Sequence, residues 1–149
     1  MILVPGTHDA NIQKLVPADI TLISSTGMVE ENILFTHGHT MPSENFSHVD
    51  KIVMGHVHPV FFQEESVVNG QRVWISLKTK KENIFPSTSG ELEITIVPSF
   101  NKYFYATSKR QYKKSISPII EKIKEVSSAR IVTLDGTIIG DETILDQVL

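Results

Sequence analysis

Residues 51–60 read KIVMGHVHPV, a short apolar run that ends in a glycine and two histidines. The same arrangement occurs upstream in NILFTHGH (residues 32–39) and near the start in ILVPGTHD (residues 2–9). Apolar runs of this length, bounded by glycine or proline, are typical of buried strands. If the three strands are parallel neighbours, their carboxyl ends meet at one edge of a sheet, where ligand sites form in open α/β sheets. The sequence therefore predicts a polar site at that edge.

The rest of the chain also favours strands over helices. Further strands are predicted at residues 20–24, 60–62, 67–68, 73–77, 92–97, 129–134 and 137–139. Short helices are predicted at residues 10–15 and after Ser117, where Pro118 suits the first helical position. The acidic pair Glu30–Glu31 indicates a link, and residues 141–149 indicate a loose tail. We expect one α/β unit spanning residues 1–149, with layered sheets and few helices.

Composition excludes several classes of protein. The 149 residues include no cysteine, which excludes disulfide frameworks, thiolate zinc sites and cysteine nucleophiles and is compatible with a cytoplasmic protein. The net charge of -3 gives no strong nucleic-acid signature. No apolar stretch approaches the roughly 18 residues that would span a bilayer, so we expect no membrane partner.

Five of the six histidines lie in the three motifs, at positions that suit metal binding. Imidazole is a common ligand of zinc, iron, manganese and nickel. His56 and His58 would share a face in a strand, whereas in a turn they could reach separate metals. A single HGH or GHxH motif is weak, because a lone buried histidine is more often a hydrogen-bonded core residue. The sixth histidine, His48, lies in a polar stretch and indicates a surface residue.

GTHD, THGH and GHVHP, in this order, resemble the last three signature motifs of calcineurin-like metallophosphoesterases. Residues 73–78 (VWISLK), 91–101 (ELEITIVPSFN) and 129–141 (ARIVTLDGTIIGD) are similar to the archaeal branch related to DNA-ligase-associated phosphoesterases. The likeness implies an α/β fold in which two mixed sheets form a sandwich with flanking helices. It also implies a hydrolase that cleaves a phosphate ester with two divalent ions, manganese or of the zinc, iron or nickel type.

The resemblance also assigns metal ligands by motif position. His37 and His56 would bind the second metal, and His58 would bind the first. Thr7 stands where the family has an asparagine ligand, and a threonine hydroxyl is a poorer ligand than an amide carbonyl. Alternatively, Thr7 only caps its turn.

The remaining assignments concern the substrate. His8 would act as general acid to the leaving oxygen, and Asp9 would orient His8. His39 would lie near the site, where it could contact the substrate. Lys78, Lys80 and Lys81 could line a phosphate groove, although a solvated strand end is the simpler interpretation.

The family's first two motifs, D-x-H and G-D-x-x-D, precede the GNHD position and supply first-metal ligands and the bridging aspartate. GTHD begins at Gly6, so we expect a partial sandwich that lacks the N-terminal strands and carries an incomplete two-metal site. One alternative function is a non-catalytic remnant or interaction module with at most one weak metal site. Another is a mononuclear zinc hydrolase that uses His37, His56 and His58. We further expect a homo-oligomer, most simply a dimer, or a partner that supplies the missing segment.

Overall fold

A seven-stranded mixed sheet organises the part of the chain that the computed structural model describes, which comprises residues 1–9, 11–101 and 117–149. Its strands are β3 (Met28–Glu30), β4 (Ile33–Thr36), β5 (Lys51–Met54), β6 (Val73–Lys80), β7 (Glu91–Ile96), β8 (Val126–Thr133) and β9 (Ile138–Gly140). The spatial order is β3-β4-β5-β7-β6-β8-β9. Two very short strands, β1 (Ile2–Leu3) and β2 (Thr21–Leu22), pair in parallel as a separate two-stranded sheet.

Strand direction decides which residues share an edge of the large sheet. β4, β5 and β7 are mutually parallel, whereas β6 runs antiparallel to β7 and to β8. The carboxyl ends of β4, β5 and β7 therefore lie at the same edge as the amino end of β6. The expected parallel pairing of the strands before THGH and GHVHP is thus present in β4 and β5.

One face of the sheet forms the core because apolar residues alternate along its strands. Residues with no solvent exposure line this face in five neighbouring strands: Leu34, Ile52, Ile94, Ile75 and Ile131. Burying each such side chain contributes roughly 1.5–3 kcal/mol. Residues of opposite parity are more exposed, as at Trp74, which is 42% exposed.

Helical elements are short, with three to six residues each. The helix α1 (Pro118–Lys122) begins with proline directly after Ser117, as the sequence predicts. Single-turn 3-10 helices lie at Ile12–Lys14, Glu44–Phe46 and Lys81–Asn83, and a longer one lies at Glu142–Gln147. None of the helices in residues 1–9, 11–101 and 117–149 is both long and apolar enough to cross a membrane.

The expectation of a mixed sheet with few helices is confirmed, while several local predictions are wrong. Residues 60–62 and 67–68 are not strands: Val60 makes only an isolated bridge to Arg72, and Val67 is 97% exposed in a turn. Glu30 ends strand β3 instead of forming a link. In place of a loose tail, the 3-10 helix at residues 142–147 leads into Val148, which is 6% exposed in the core. Of the helix predicted at 10–15, residue 10 lies outside the described residues.

Candidate functional site

The second and third motifs meet at the carboxyl edge of the parallel strands. Thr36, the last residue of β4, pairs with Met54, the last residue of β5. His37 follows Thr36 directly, and His56 lies one residue beyond Gly55. Their rings are joined by a hydrogen bond of 3.2 Å between His37 Nε2 and His56 Nδ1, and the tautomers decide which of the two nitrogens donates. The prediction that these motifs converge at one sheet edge is confirmed for this pair.

A third imidazole, that of His39, completes what we call the histidine cluster (His37, His39 and His56). Its ring centroid lies 5.1 Å from that of His37 and 5.9 Å from that of His56, while the His37 and His56 centroids are 5.0 Å apart. Gly38 makes this possible, because its φ of +97° turns the chain sharply between two histidines. A Cβ at Gly38 would also lie only 2.6 Å from Met54 Cε.

A residue distant in the sequence, Ser117, stabilises the HGH turn by a hydrogen bond. The hydroxyl of Ser117, which has no solvent exposure, donates a hydrogen bond of 2.7 Å to the carbonyl oxygen of Gly38. Ser117 occupies the N-cap position of α1, yet its side chain makes no capping bond to that helix. The side chain of Ser117 therefore fixes the backbone between His37 and His39 instead of capping α1.

The third motif adopts a strained turn. His56 and His58 have φ values of +67° and +53°, in the left-handed region. Such a conformation costs a non-glycine residue about 1–2 kcal/mol, and it is enriched at functional sites. The N–H of Val57 donates to the carbonyl oxygen of Gly55 at 2.8 Å, which closes the turn. Of the two arrangements left open by the sequence, the chain adopts the turn, so His56 and His58 do not line one strand face.

The first motif reaches the cluster although β1 lies outside the large sheet. A Cβ built on Gly6 would lie 2.7 Å from His37 Cε1, so this backbone packs directly against the imidazole. Asp9 Oδ2 accepts a hydrogen bond of 2.6 Å from the Gly6 N–H, which fixes the GTHD turn. Thr7 and His8 are exposed. His8 is nonetheless near enough to the other motifs to lower the pKa of His37 and His58.

Burial favours the neutral form of three histidines at the site, His37, His56 and His58, because it lowers their pKa. It lowers the pKa of His56 to about 4, and the nearby imidazoles of His37 and His39 lower it further in the same direction. Burial is also the main cause that lowers the pKa of His37 and of His58. A neutral imidazole has a free nitrogen lone pair, which is the form that binds a metal.

The residues fit a metal ion in part. Two imidazole nitrogens on one tetrahedral ion lie about 3.3 Å apart, close to the separation seen between His37 and His56. However, across residues 1–9, 11–101 and 117–149, no three His, Cys, Asp or Glu side chains converge as they stand into a group that could hold a metal ion. His58 thus does not complete a ligand set with the pair in this arrangement.

The lysines are far from this edge. They lie at the carboxyl end of antiparallel β6, opposite the histidine cluster, and each has an acidic partner. The pairs are Lys78 with Glu91 at 2.6 Å, Lys80 with Glu125 at 2.9 Å and Lys81 with Asp50 at 3.1 Å. The three lysines therefore lie at the edge opposite the histidine cluster with their charges paired, and a phosphate groove lined by them stays a prediction. His48 is exposed, as predicted.

Two contributors to the site were missed by sequence reasoning. The sequence does not predict that Gly6 packs against His37, and it indicates Ser117 only as a helix cap. The repeated glycine beside each histidine was a usable signal for the first, whereas nothing local connects Ser117 with Gly38. Comparison with known proteins gives no further guide, because no family model, no curated protein and no solved structure matches this chain.

Proposed function

We propose that this protein is a metal-dependent phosphoesterase that hydrolyses phosphodiesters or phosphomonoesters at the histidine cluster. The observation that carries the proposal is the 3.2 Å approach of His37 Nε2 to His56 Nδ1 at the carboxyl edge of two parallel strands. A pair of imidazoles at this position, one buried and one half-buried, is suited to a divalent ion of the zinc, iron or nickel class.

The residues around the pair have distinct tasks in this proposal. His37 and His56 would hold the ion, which when bound supplies Lewis-acid stabilisation of the charge that develops on the phosphoryl oxygens. His8 is exposed beside them and can donate a proton to the leaving oxygen of the ester. Asp9 holds the Gly6 N–H and so fixes the backbone that presents His8, which is an indirect form of the orienting role expected for it.

A second candidate is a metal-binding or interaction module without catalysis. It is favoured by the finding that no three potential ligands converge within the described ranges. Both candidates place the protein in the cytoplasm, since a chain without cysteine suits a reducing compartment. Either candidate function is compatible with self-association of the chain into a homo-oligomer.

The two candidates separate in a hydrolysis assay. Purified protein would be tested with bis(p-nitrophenyl) phosphate and p-nitrophenyl phosphate in the presence of Mn²⁺, Zn²⁺, Ni²⁺ or Fe²⁺. The esterase proposal expects turnover that is lost in His56→Ala, reduced at least about tenfold in His8→Ala, and unchanged in the exposed control His48→Ala. Metal binding without turnover in any condition would favour the binding module instead. If wild type neither binds an ion nor hydrolyses either ester, the esterase proposal fails and an interaction module without metal is what remains of the second candidate.

A further inference from the structure

We propose that His39 is a third metal ligand and that the histidine cluster forms a mononuclear three-histidine site for a zinc-class ion. This inference rests on the proposed metal binding by His37 and His56, and it replaces the substrate-contacting role that the sequence suggested for His39. It also differs from a three-histidine set that includes His58.

The spacing of the three rings supports a common centre. For a tetrahedral ion with metal–nitrogen bonds of about 2.05 Å, imidazole centroids lie about 5.2 Å apart. Two of the three centroid separations in the cluster, 5.0 Å and 5.1 Å, agree with that value. The third, 5.9 Å between His39 and His56, exceeds it by roughly 0.7 Å. Closing that gap requires the His39 side chain to move toward His56, which accounts for the lack of a converged ligand set in the described residues as they stand.

The hydrogen bonding of His39 provides a second, independent observation. Its Nδ1 is buried and has no hydrogen-bond partner among residues 1–9, 11–101 and 117–149, and the same is true of the neighbouring Thr40 Oγ1. A buried polar atom without a partner costs about 1–3 kcal/mol. A metal ion bound by His39 would remove that cost at the nitrogen. The competing explanation is a buried water that bridges His39 and Thr40.

The backbone holds His39 in place for this task. Gly38 supplies the left-handed turn, and the buried Ser117 hydroxyl fixes the Gly38 carbonyl at 2.7 Å. His39 is therefore held beside the His37–His56 pair without metal, so little ordering is required when the ion binds.

The ligand chemistry selects the ion. Three neutral imidazole nitrogens suit Zn²⁺ and its spectroscopic substitute Co²⁺, whereas Mn²⁺ and Mg²⁺ prefer oxygen ligands. Three protein ligands also leave a fourth tetrahedral position open, as in catalytic zinc sites. The expected stoichiometry is one ion per chain.

Binding measurements test this without any activity assay. Metal-free protein would be titrated with Zn²⁺ by calorimetry and with Co²⁺ by visible absorption. Wild type and the exposed control His48→Ala should bind one ion per chain with the same affinity and an intense tetrahedral Co²⁺ spectrum. His39→Ala should weaken binding by at least about 100-fold, because loss of a direct ligand exceeds the 10–100-fold effect of outer residues. It should also change the Co²⁺ spectrum.

Several outcomes would overturn the inference. If His39→Ala binds Zn²⁺ within about threefold of wild type while His56→Ala does not, the pair binds metal without His39, and only this inference fails. Two tightly bound ions per chain, or tighter binding of Mn²⁺ than of Zn²⁺, would also refute it. If wild type binds no ion at all, the proposed function fails with it. Circular dichroism checks folding, and His39→Asn replaces His39→Ala in the same titration if the alanine variant is unfolded.

Discussion

A single methyl group at Gly6 should disturb the proposed metal site without unfolding the protein. A Cβ at this position would lie 2.7 Å from His37 Cε1 and 2.9 Å from Nε2, whereas favourable contacts are about 3.5–4.0 Å. In Gly6→Ala the imidazole must therefore retreat by roughly 1 Å. Its Nε2 is the atom that lies 3.2 Å from His56 Nδ1, so the geometry of the two proposed ligands would change.

The expected loss can be estimated from this displacement. Disturbing the orientation of a ligand typically weakens metal binding 10–100-fold, and we expect an effect of about this size for Zn²⁺. Gly6 does not have a left-handed φ, so alanine is compatible with its backbone and reduces the entropy of the unfolded chain. The free energy of unfolding should consequently change by less than about 1 kcal/mol.

Zinc calorimetry and urea denaturation of the metal-free protein measure the two quantities separately. The matched control is Gly136→Ala, where an added Cβ meets open space but φ is +92°. That variant should lose about 1–2 kcal/mol of stability and bind zinc normally once folded. If Gly6→Ala is folded and binds zinc as tightly as wild type, the first motif does not pack on the site as described.

Three further outcomes are expected. Ser117→Ala leaves the Gly38 carbonyl without its buried donor, so it should reduce stability by about 1–3 kcal/mol in urea denaturation and weaken zinc binding; unchanged values for both would contradict this. The ion pair with Lys51 lowers the pKa of Glu93, so its contribution, under about 1 kcal/mol, should be present above pH 4.5 and lost as pH falls below it. In urea denaturation, the difference in stability between Lys51→Met and wild type should therefore be full at pH 7 and should shrink as the pH is lowered below 4.5. Self-association is expected from light scattering, and a monomer at high concentration would refute it.

The strands that carry the site could be predicted because their signals are local. Apolar runs such as KIVM and NILF are bounded by glycine-containing polar motifs, and both form strands in the expected parallel arrangement. The neighbouring errors have equally local causes. Glu31 has a φ of +54° and makes a tight turn, so the acidic pair ends a strand where a longer link was expected. Val60 is buried, at 5% exposure, although it lies outside the strands, so its apolar side chain was a misleading signal for a strand.

The details of the candidate site were less predictable because they depend on contacts between distant segments. Gly6 packs on His37, and Ser117 donates a hydrogen bond to Gly38. Neither contact can be predicted from the spacing of these residues in the sequence. The left-handed backbone of His56 is also invisible in sequence, since glycine is the residue that normally indicates such a conformation. The role of Asp9 shows the same limit: the motif suggested a carboxylate that orients His8, and its Oδ2 binds a backbone N–H.

The location of a bound ion is the most direct test of the metal centre. Crystals grown with Zn²⁺ and measured at the zinc absorption edge would reveal the ion by its anomalous signal. The account predicts one strong peak per chain, about 2.0–2.1 Å from nitrogen atoms of His37, His39 and His56, with a fourth position open. A peak at another part of the chain, or no peak at saturating zinc, would contradict it.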